Sequence, residues 1–217
     1  MGKKVIITGA TGMVGNEVLK LLLAHPSIEK VISLSRRKID TKHPKLEQII
    51  PKSFLKYDNM QDALTNVDCV FYCLGAYTGT VSKELFRQIT VDYPKELARE
   101  LEKHSPKARF CLLSGAGADR TEKSRIQFAK DKGAIENYLS ESKLSFHAFR
   151  PGYIYPVEPR NEPNFMYRLS RFLYPLIRLF GKNASIQSTE LAQAMVNVGI
   201  NGSAHEVFEN RSILAEL

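Results

Sequence analysis

The sequence predicts an α/β domain built on a doubly wound parallel sheet, and three observations carry that expectation. Apolar strand-like runs alternate with longer helix-like stretches along the chain, the pattern of a parallel sheet covered by helices on both faces. Five of the six runs lack the polar alternation of a half-exposed strand. A glycine-rich turn stands between the first run and the first helical stretch.

The first strand is expected at 4–8, followed by a helix over 12–24. That helix carries Val14, Val18, Leu19, Leu21, Leu22 and Leu23 largely on one wide face, and Pro26 stops it. Strands are expected next at 30–34 and 46–50. The latter is half polar and closed by Pro51, which suits a place near the sheet edge. Asp58 is the expected N-cap of a short helix ending at Leu64. A strand at 68–74 precedes a helical stretch over 82–104 that Pro94 must interrupt or kink. A strand at 108–114, a helix over 124–140 and a strand at 144–150 complete the alternation. Pro151, Pro156, Pro159 and Pro163 then mark a loop-rich segment before two closing helices.

Composition narrows the function classes. The 217 residues suit one domain with one core, and 43% hydrophobic content with 13 Gly and 10 Pro excludes a disordered or collagen-like chain. No window approaches the ~18 unbroken apolar residues of a membrane span, and the amino terminus lacks a signal-peptide core. Cys69, Cys73 and Cys111 lie in apolar runs and read as reduced core residues of a cytoplasmic protein. The five histidines have no paired spacing, so no metal site is expected. The net charge of +8 is scattered along the chain rather than gathered with aromatics on one face. Nucleic acid is therefore not expected as a partner, and an anionic small ligand is.

The glycine turn reads Thr8-Gly9-Ala10-Thr11-Gly12-Met13-Val14-Gly15. Gly9 permits a tight turn, Gly12 lets backbone approach a pyrophosphate, and Gly15 lets the helix pack closely on the strand. The first-turn N–H groups then face the phosphates, so 9–15 is the expected dinucleotide loop, with a purely structural turn as its rival. About 20 residues further on, NAD-binding chains place an acid on the ribose 2′-hydroxyl. Here that place reads Ser35-Arg36-Arg37-Lys38, with no carboxylate before Asp40. Two guanidiniums attract a 2′-phosphate and do nothing for a neutral ribose, so NADP(H) is the expected cofactor; a solvated basic loop is the competing reading.

With Phe71-Tyr-Cys-Leu-Gly75, Leu112-Leu-Ser-Gly-Ala-Gly-Ala-Asp119, Lys132-Gly133 and Arg150-Pro-Gly152 in that order, the chain resembles the atypical short-chain dehydrogenase/reductases. It is nearest their Tat-interacting-protein (CC3)-like oxidoreductase branch. The resemblance implies an epimerase-like Rossmann fold in strand order 3-2-1-4-5-6, one domain over 1–217, with 152–217 forming a small substrate-side lobe. It places Leu74, Gly75 and Ala76 beside the adenine-ribose side of the cofactor, and Pro151 and Gly152 near the nicotinamide.

Redox members of that family use a Ser, a Tyr and a Lys, the last two as Tyr-x-x-x-Lys. The resemblance puts Ser114 and Lys132 in the serine and lysine places, but the tyrosine place holds Phe128, and no tyrosine of this chain has a lysine four residues on. A phenyl ring has no ionisable proton, so hydride transfer loses its acid/base partner while cofactor binding survives. Three outcomes are open: a regulator or redox sensor that binds NADPH and a protein partner, an enzyme recruiting Tyr77, Tyr153 or Tyr155, or a small-molecule substrate needing no acid. Asp119 reads as a solvated turn residue. The basic amphipathic stretch 165–182 reads as core packing with a charged edge, ahead of a membrane or partner contact. Oligomeric state is not legible.

Overall fold

The computed structural model describes residues 2–77, 79–158 and 185–217. Six strands form where the sequence places them: β1 (Lys3–Thr8), β2 (Ile28–Leu34), β3 (Leu46–Ile49), β4 (Cys69–Tyr72), β5 (Arg109–Leu113) and β6 (Ser145–Arg150). Two short strands, β7 (Tyr153–Tyr155) and β8 (Ser185–Gln187), pair with each other in a separate sheet, and β9 (Val207–Glu209) joins the main one. The main sheet runs β3-β2-β1-β4-β5-β6-β9 with every pairing parallel. Strand order reverses between β1 and β4, and ligands of open α/β sheets bind at the carboxyl ends beside such a reversal.

Helices cover both faces: α1 (Met13–Ala24), α2 (Gln61–Leu64), α3 (Lys83–Arg87), α4 (Tyr93–His104), α5 (Gln127–Ser140), α6 (Ser188–Asn201) and α7 (Asn210–Leu214). Alternation along each strand divides the core in two. Val5, Ile7, Phe71, Cys111 and Phe149 pack with Val18 and Leu22 of α1 and with Leu191 and Met195 of α6. Ile6, Ile32, Val70 and Phe110 face the other way, toward Leu97 and Leu101 of α4 and Ile135 and Leu139 of α5. Each such side chain contributes roughly 1.5–3 kcal/mol by leaving water. All four residues of β4 are buried, which explains its lack of polar residues. The three cysteines are buried free thiols of this core.

The structure revises four sequence expectations. The substrate-side lobe does not take in all of 152–217, because α6 packs on α1 in the main core and β9 extends the main sheet; α6 is too apolar to stand outside it. Of the described residues in that range, β7 and β8 form a separate two-stranded sheet, whose Ile186 still packs into the same core. Asp58 is not the cap of α2: the chain turns through a left-handed Asn59, and the N-cap is Met60, with no side-chain capping bond. Pro94 does not kink a continuous helix but follows a π turn, Gln88–Asp92, and sits in the first turn of α4. A π turn would pair the Ile89 carbonyl with the N–H of residue 94, which proline lacks. The buried Tyr72 hydroxyl donates to that carbonyl instead, at 3.1 Å. Finally, the helix expected from 124 begins at Gln127, after a loop tied by Asp119. The amphipathic stretch 165–182 lies outside the described residues.

Candidate active site

The loop between β1 and α1 is shaped by two backbone constraints. Gly9 has φ +70°, and a β-carbon there would meet the Cys73 carbonyl oxygen at 2.5 Å. A β-carbon on Gly15 would lie 2.1 Å from the Gly9 carbonyl oxygen and 3.2 Å from Cys73 Cβ. No side chain can be added at either place without separating α1 from the end of β4. Gly12 is the N-cap of α1 and contributes no side-chain cap, so the first-turn N–H groups are left for an anion. Met13 is half-buried, and Val14 turns its side chain into the core, so Val14 offers a ligand only main chain.

An open cleft of about 390 Å³ runs from this loop to the end of β2, lined by Gly9, Ala10, Thr11, Ser35, Arg36, Arg37 and Leu74, together with Leu34 and Phe54. Its volume falls in the usual ligand range of roughly 300–1,000 Å³. Arg36 and Arg37 are exposed and pair with no carboxylate of a described residue. The Ser35 hydroxyl donates to the Arg37 carbonyl at 2.6 Å, fixing the turn that presents them. Phe54 was not legible as a site residue, because it follows an irregular stretch with no motif. Its ring is buried and stacks on Tyr93 at 5.4 Å.

The remaining predicted residues gather at the carboxyl ends of β4, β5 and β6. Leu74, Gly75 and Ala76 follow β4, and a β-carbon on Gly75 would meet open space. Ala116 N–H donates to the Pro151 carbonyl at 3.0 Å, and Gly152 N–H to Asn210 Oδ1 at 2.9 Å, which ties the ends of β5, β6 and β9 together. Phe128 and Lys132 stand one turn apart on α5. The Phe128 ring tip lies 2.5 Å from where a Gly115 β-carbon would be, so the ring rests directly against the residue after Ser114 and also tilts against Phe86 at 6.5 Å. Tyr153 and Tyr155 are half-buried on one side of β7. Tyr77 is half-buried too, beyond Ala76.

Lys132 is buried, and its ammonium donates to the Leu113 carbonyl at 2.8 Å. Burial, opposed by Glu136 and Cys73, brings its pKa down to about 8. A lysine lowered from 10.5 carries a destabilising charge below pH ~8 that is relieved as pH rises toward 10.5. Holding that charge out of water costs on the order of 3 kcal/mol, less about 1 kcal/mol for the bond to Leu113. Lys132→Met should therefore raise the melting temperature at pH 7 by about 4–8 °C, with the gain shrinking above pH 8. Thermal melts across pH 7–10 check this, and an equal gain at both ends would refute the buried-charge account.

Glu136, one turn beyond Lys132, was missed by sequence reasoning. Its carboxylate is fully buried and accepts from Ser114 Oγ at 2.5 Å, from Arg150 Nε at 3.0 Å and Nη2 at 2.5 Å, and from Arg120 Nε at 3.1 Å. The i, i+4 spacing from Phe128 through Lys132 to Glu136 was the available signal, and Arg150 already belonged to a quoted motif. Burial pushes the Glu136 carboxyl up, and Arg150, Ser114 and Arg120 together outweigh it and hold the group below its ordinary range. Asp119 is more than a solvated turn residue: it accepts from Thr121 N–H at 2.9 Å and Ser124 N–H at 2.8 Å, ordering the loop before α5.

A parallel sheet with this order, a glycine cradle at its reversal and an adjoining cleft are the features of a dinucleotide-binding protein. The chain belongs to the NAD(P)H-binding family, whose sequence profile matches residues 9–198. It is similar to Protein HTATIP2 of Rattus norvegicus, with 28% identity over 217 residues that cover 98% of this chain and 88% of the relative. It also resembles Protein fmp52-1, mitochondrial, of Aspergillus terreus, 28% identical over 165 residues, 73% of this chain and 70% of that one. Among solved structures, the Bordetella bronchiseptica enzyme WbmH in complex with NAD+ aligns with TM-score 0.71 and 21% identity, over 95% of this chain and 74% of that one. A UDP-N-acetylglucosamine 4-epimerase of Methanobrevibacter ruminantium, in complex with UDP-N-acetylmuramic acid, aligns with TM-score 0.69 and 18% identity, over 95% and 75%. These structures share the fold. Among the described residues no helix is long and apolar enough to cross a membrane.

Proposed function

We propose that the protein binds NADP(H) and is an oxidoreductase of the atypical short-chain type, acting on a small carbonyl or sugar-nucleotide-like substrate with Phe128 in the acid's place. The observation that carries the cofactor choice is the pair Arg36 and Arg37, exposed in the cleft wall beside the glycine loop without a carboxylate partner among the described residues. In this reading the N–H groups of 9–15 other than that of Gly12, which donates to the Gly9 carbonyl, hold the pyrophosphate, Ser35, Arg36 and Arg37 the 2′-phosphate, and Leu74, Gly75 and Ala76 border the adenine-ribose side. Lys132 binds the nicotinamide ribose, and its buried ammonium, with one carbonyl partner among the described residues, has donors to offer. Pro151 and Gly152 flank the nicotinamide. When bound, the cofactor supplies or takes a hydride. The sugar-nucleotide class draws on the UDP-sugar ligand of the epimerase neighbour.

Phe128 favours a second reading, a cofactor-binding regulator acting through a protein partner, because the ring in that place has no proton to exchange. In both readings we take the protein to act in the cytoplasm, with its buried cysteines reduced.

Fluorescence titration tests the cofactor assignment. NADPH should bind about 10–100-fold more tightly than NADH, since charge-assisted hydrogen bonds contribute roughly 1.5–3 kcal/mol. Arg36→Ala should erase most of that preference. Equal affinities in the unaltered protein would overturn the assignment.

A further inference from the structure

The serine of this kind of site is expected to donate its proton to a substrate carbonyl, and here that proton is already committed. Ser114 closes β5, with its N–H donating to the Phe149 carbonyl at 2.8 Å, and only 7% of its surface is open. Its hydroxyl donates to Glu136 Oε1. The direction of that bond follows from the charges. Arg150 grips the same carboxylate with two nitrogens and Arg120 with a third, so the carboxyl stays ionised and is acceptor-only. A hydroxyl has one proton and two lone pairs; with the proton turned inward, Ser114 offers a ligand lone pairs alone.

We propose that Glu136 is a positioning residue that fixes Ser114 as a hydrogen-bond acceptor, so that the ligand group meeting Ser114 is a donor, an alcohol hydroxyl rather than a carbonyl oxygen. This rests on the reading of the carboxyl end of β5, where Ser114 stands beside Phe128 and Lys132, as the substrate side. A ketone oxygen brought to Ser114 meets lone pairs with lone pairs, and turning the serine proton outward breaks a charge-assisted bond and leaves a buried carboxylate oxygen one donor short. Glu136 does not take the proton itself, since the two arginines stabilise its ionised form. The site as built therefore favours the alcohol member of an alcohol–carbonyl pair, the substrate side for oxidation by the oxidised cofactor.

Replacing Glu136 by glutamine inverts the polarity. The amide oxygen stays at the Oε2 position, where Arg120 Nε and Arg150 Nη2 both donate, because the alternative rotamer would set the amide against two donors; at Oε1 the amide nitrogen displaces Arg150 Nε and donates to Ser114, and the serine proton is freed to point outward.

The experiment is ligand-observed saturation-transfer NMR on the full chain with saturating NADP+, using the matched probes cyclohexanol and cyclohexanone, and glycerol and dihydroxyacetone. In the unaltered protein the alcohol of a pair should bind about 10-fold more tightly than its ketone. Glu136→Gln should remove or reverse that ratio. Ser114→Ala, which leaves the Glu136–Arg150 pair in place, should bring it to about 1 and serves if the glutamine variant does not fold. A ketone preference in the unaltered protein, or a ratio unmoved by either variant, overturns the proposal while leaving the substrate-site reading standing. Binding of neither member of either pair, with NADP+ bound, overturns that reading and the proposal with it. A purely structural role for Glu136 would lower stability and leave the ratio where it was.

Discussion

Phe128→Tyr should raise carbonyl reduction by NADPH, or the reverse oxidation, by about 10²–10⁴-fold over the unaltered protein, the usual contribution of a positioned general acid or base. The reason is local. The ring tip already points at Gly115, beside Ser114 and one turn before Lys132, so the substitution brings an ionisable hydroxyl to that place once the ring draws back from Gly115 to make room for it. The ammonium of Lys132, on the same face of α5, favours the tyrosinate and so lowers the cost of proton transfer. Gly115 leaves the space the ring tip occupies, and Phe86 holds its other side. Initial rates over a panel of aldehydes, ketones and nucleotide sugars, at equal cofactor saturation, measure the effect. If the variant binds NADPH as the unaltered protein does and stays inert across that panel, the idea of an enzyme lacking only its acid fails. The regulator reading would then stand.

Glu136→Leu should destabilise the fold by about 3 kcal/mol, the low end of what breaking one side of a buried ion pair costs. Arg150 and Arg120 would lose their shared carboxylate. Each keeps a half-exposed acid, Glu209 at 3.0 Å and Glu206 at 2.7 Å respectively, which keeps the penalty from the upper end of the range. The double variant Glu136→Leu with Arg150→Met should recover part of the loss, because removing both partners leaves less uncompensated charge. Acid behaviour follows from the lowered carboxyl pKa. The stabilisation from Glu136 is fully present above its ordinary value near 4.5 and is lost as pH falls through the lower folded value. Urea unfolding at pH 7 and pH 3.5 checks both points: the gap between unaltered protein and variant should narrow in acid, and an unchanged gap would refute the clamp.

The sheet was legible because its grammar is local. Runs such as Lys4-Val-Ile-Ile-Thr8 and Asp68-Cys-Val-Phe71 have no polar alternation, and only a strand covered on both faces tolerates that. The edge position of β3 followed from its polar residues, and its last place in the sheet order agrees. The π turn was not legible. Pro94 announces an interruption, but whether the chain kinks, breaks or widens depends on a partner for the freed carbonyl, and that partner is Tyr72 on another strand. The full extent of the C-terminal lobe failed for the same reason: the apolar face of α6 says that it is buried, and only packing says that it is buried on α1.

The site divides in the same way. The glycine loop, Ser35 to Arg37, and Phe128 with Lys132 lie at short spacings within single loops or one helix, so their chemistry could be argued from the chain alone. The network of Ser114, Glu136, Arg150 and Arg120 draws on β5, α5, β6 and the loop after β5, and no spacing in the sequence joins them. By itself the sequence determined the doubly wound sheet, its glycine cradle and the pairing of Phe128 with Lys132 one turn apart on one helix, because backbone conformation and burial pattern act over a few neighbouring residues. Only the tertiary structure decided which way the Ser114 proton points, because that direction is set by charges brought together from distant parts of the chain.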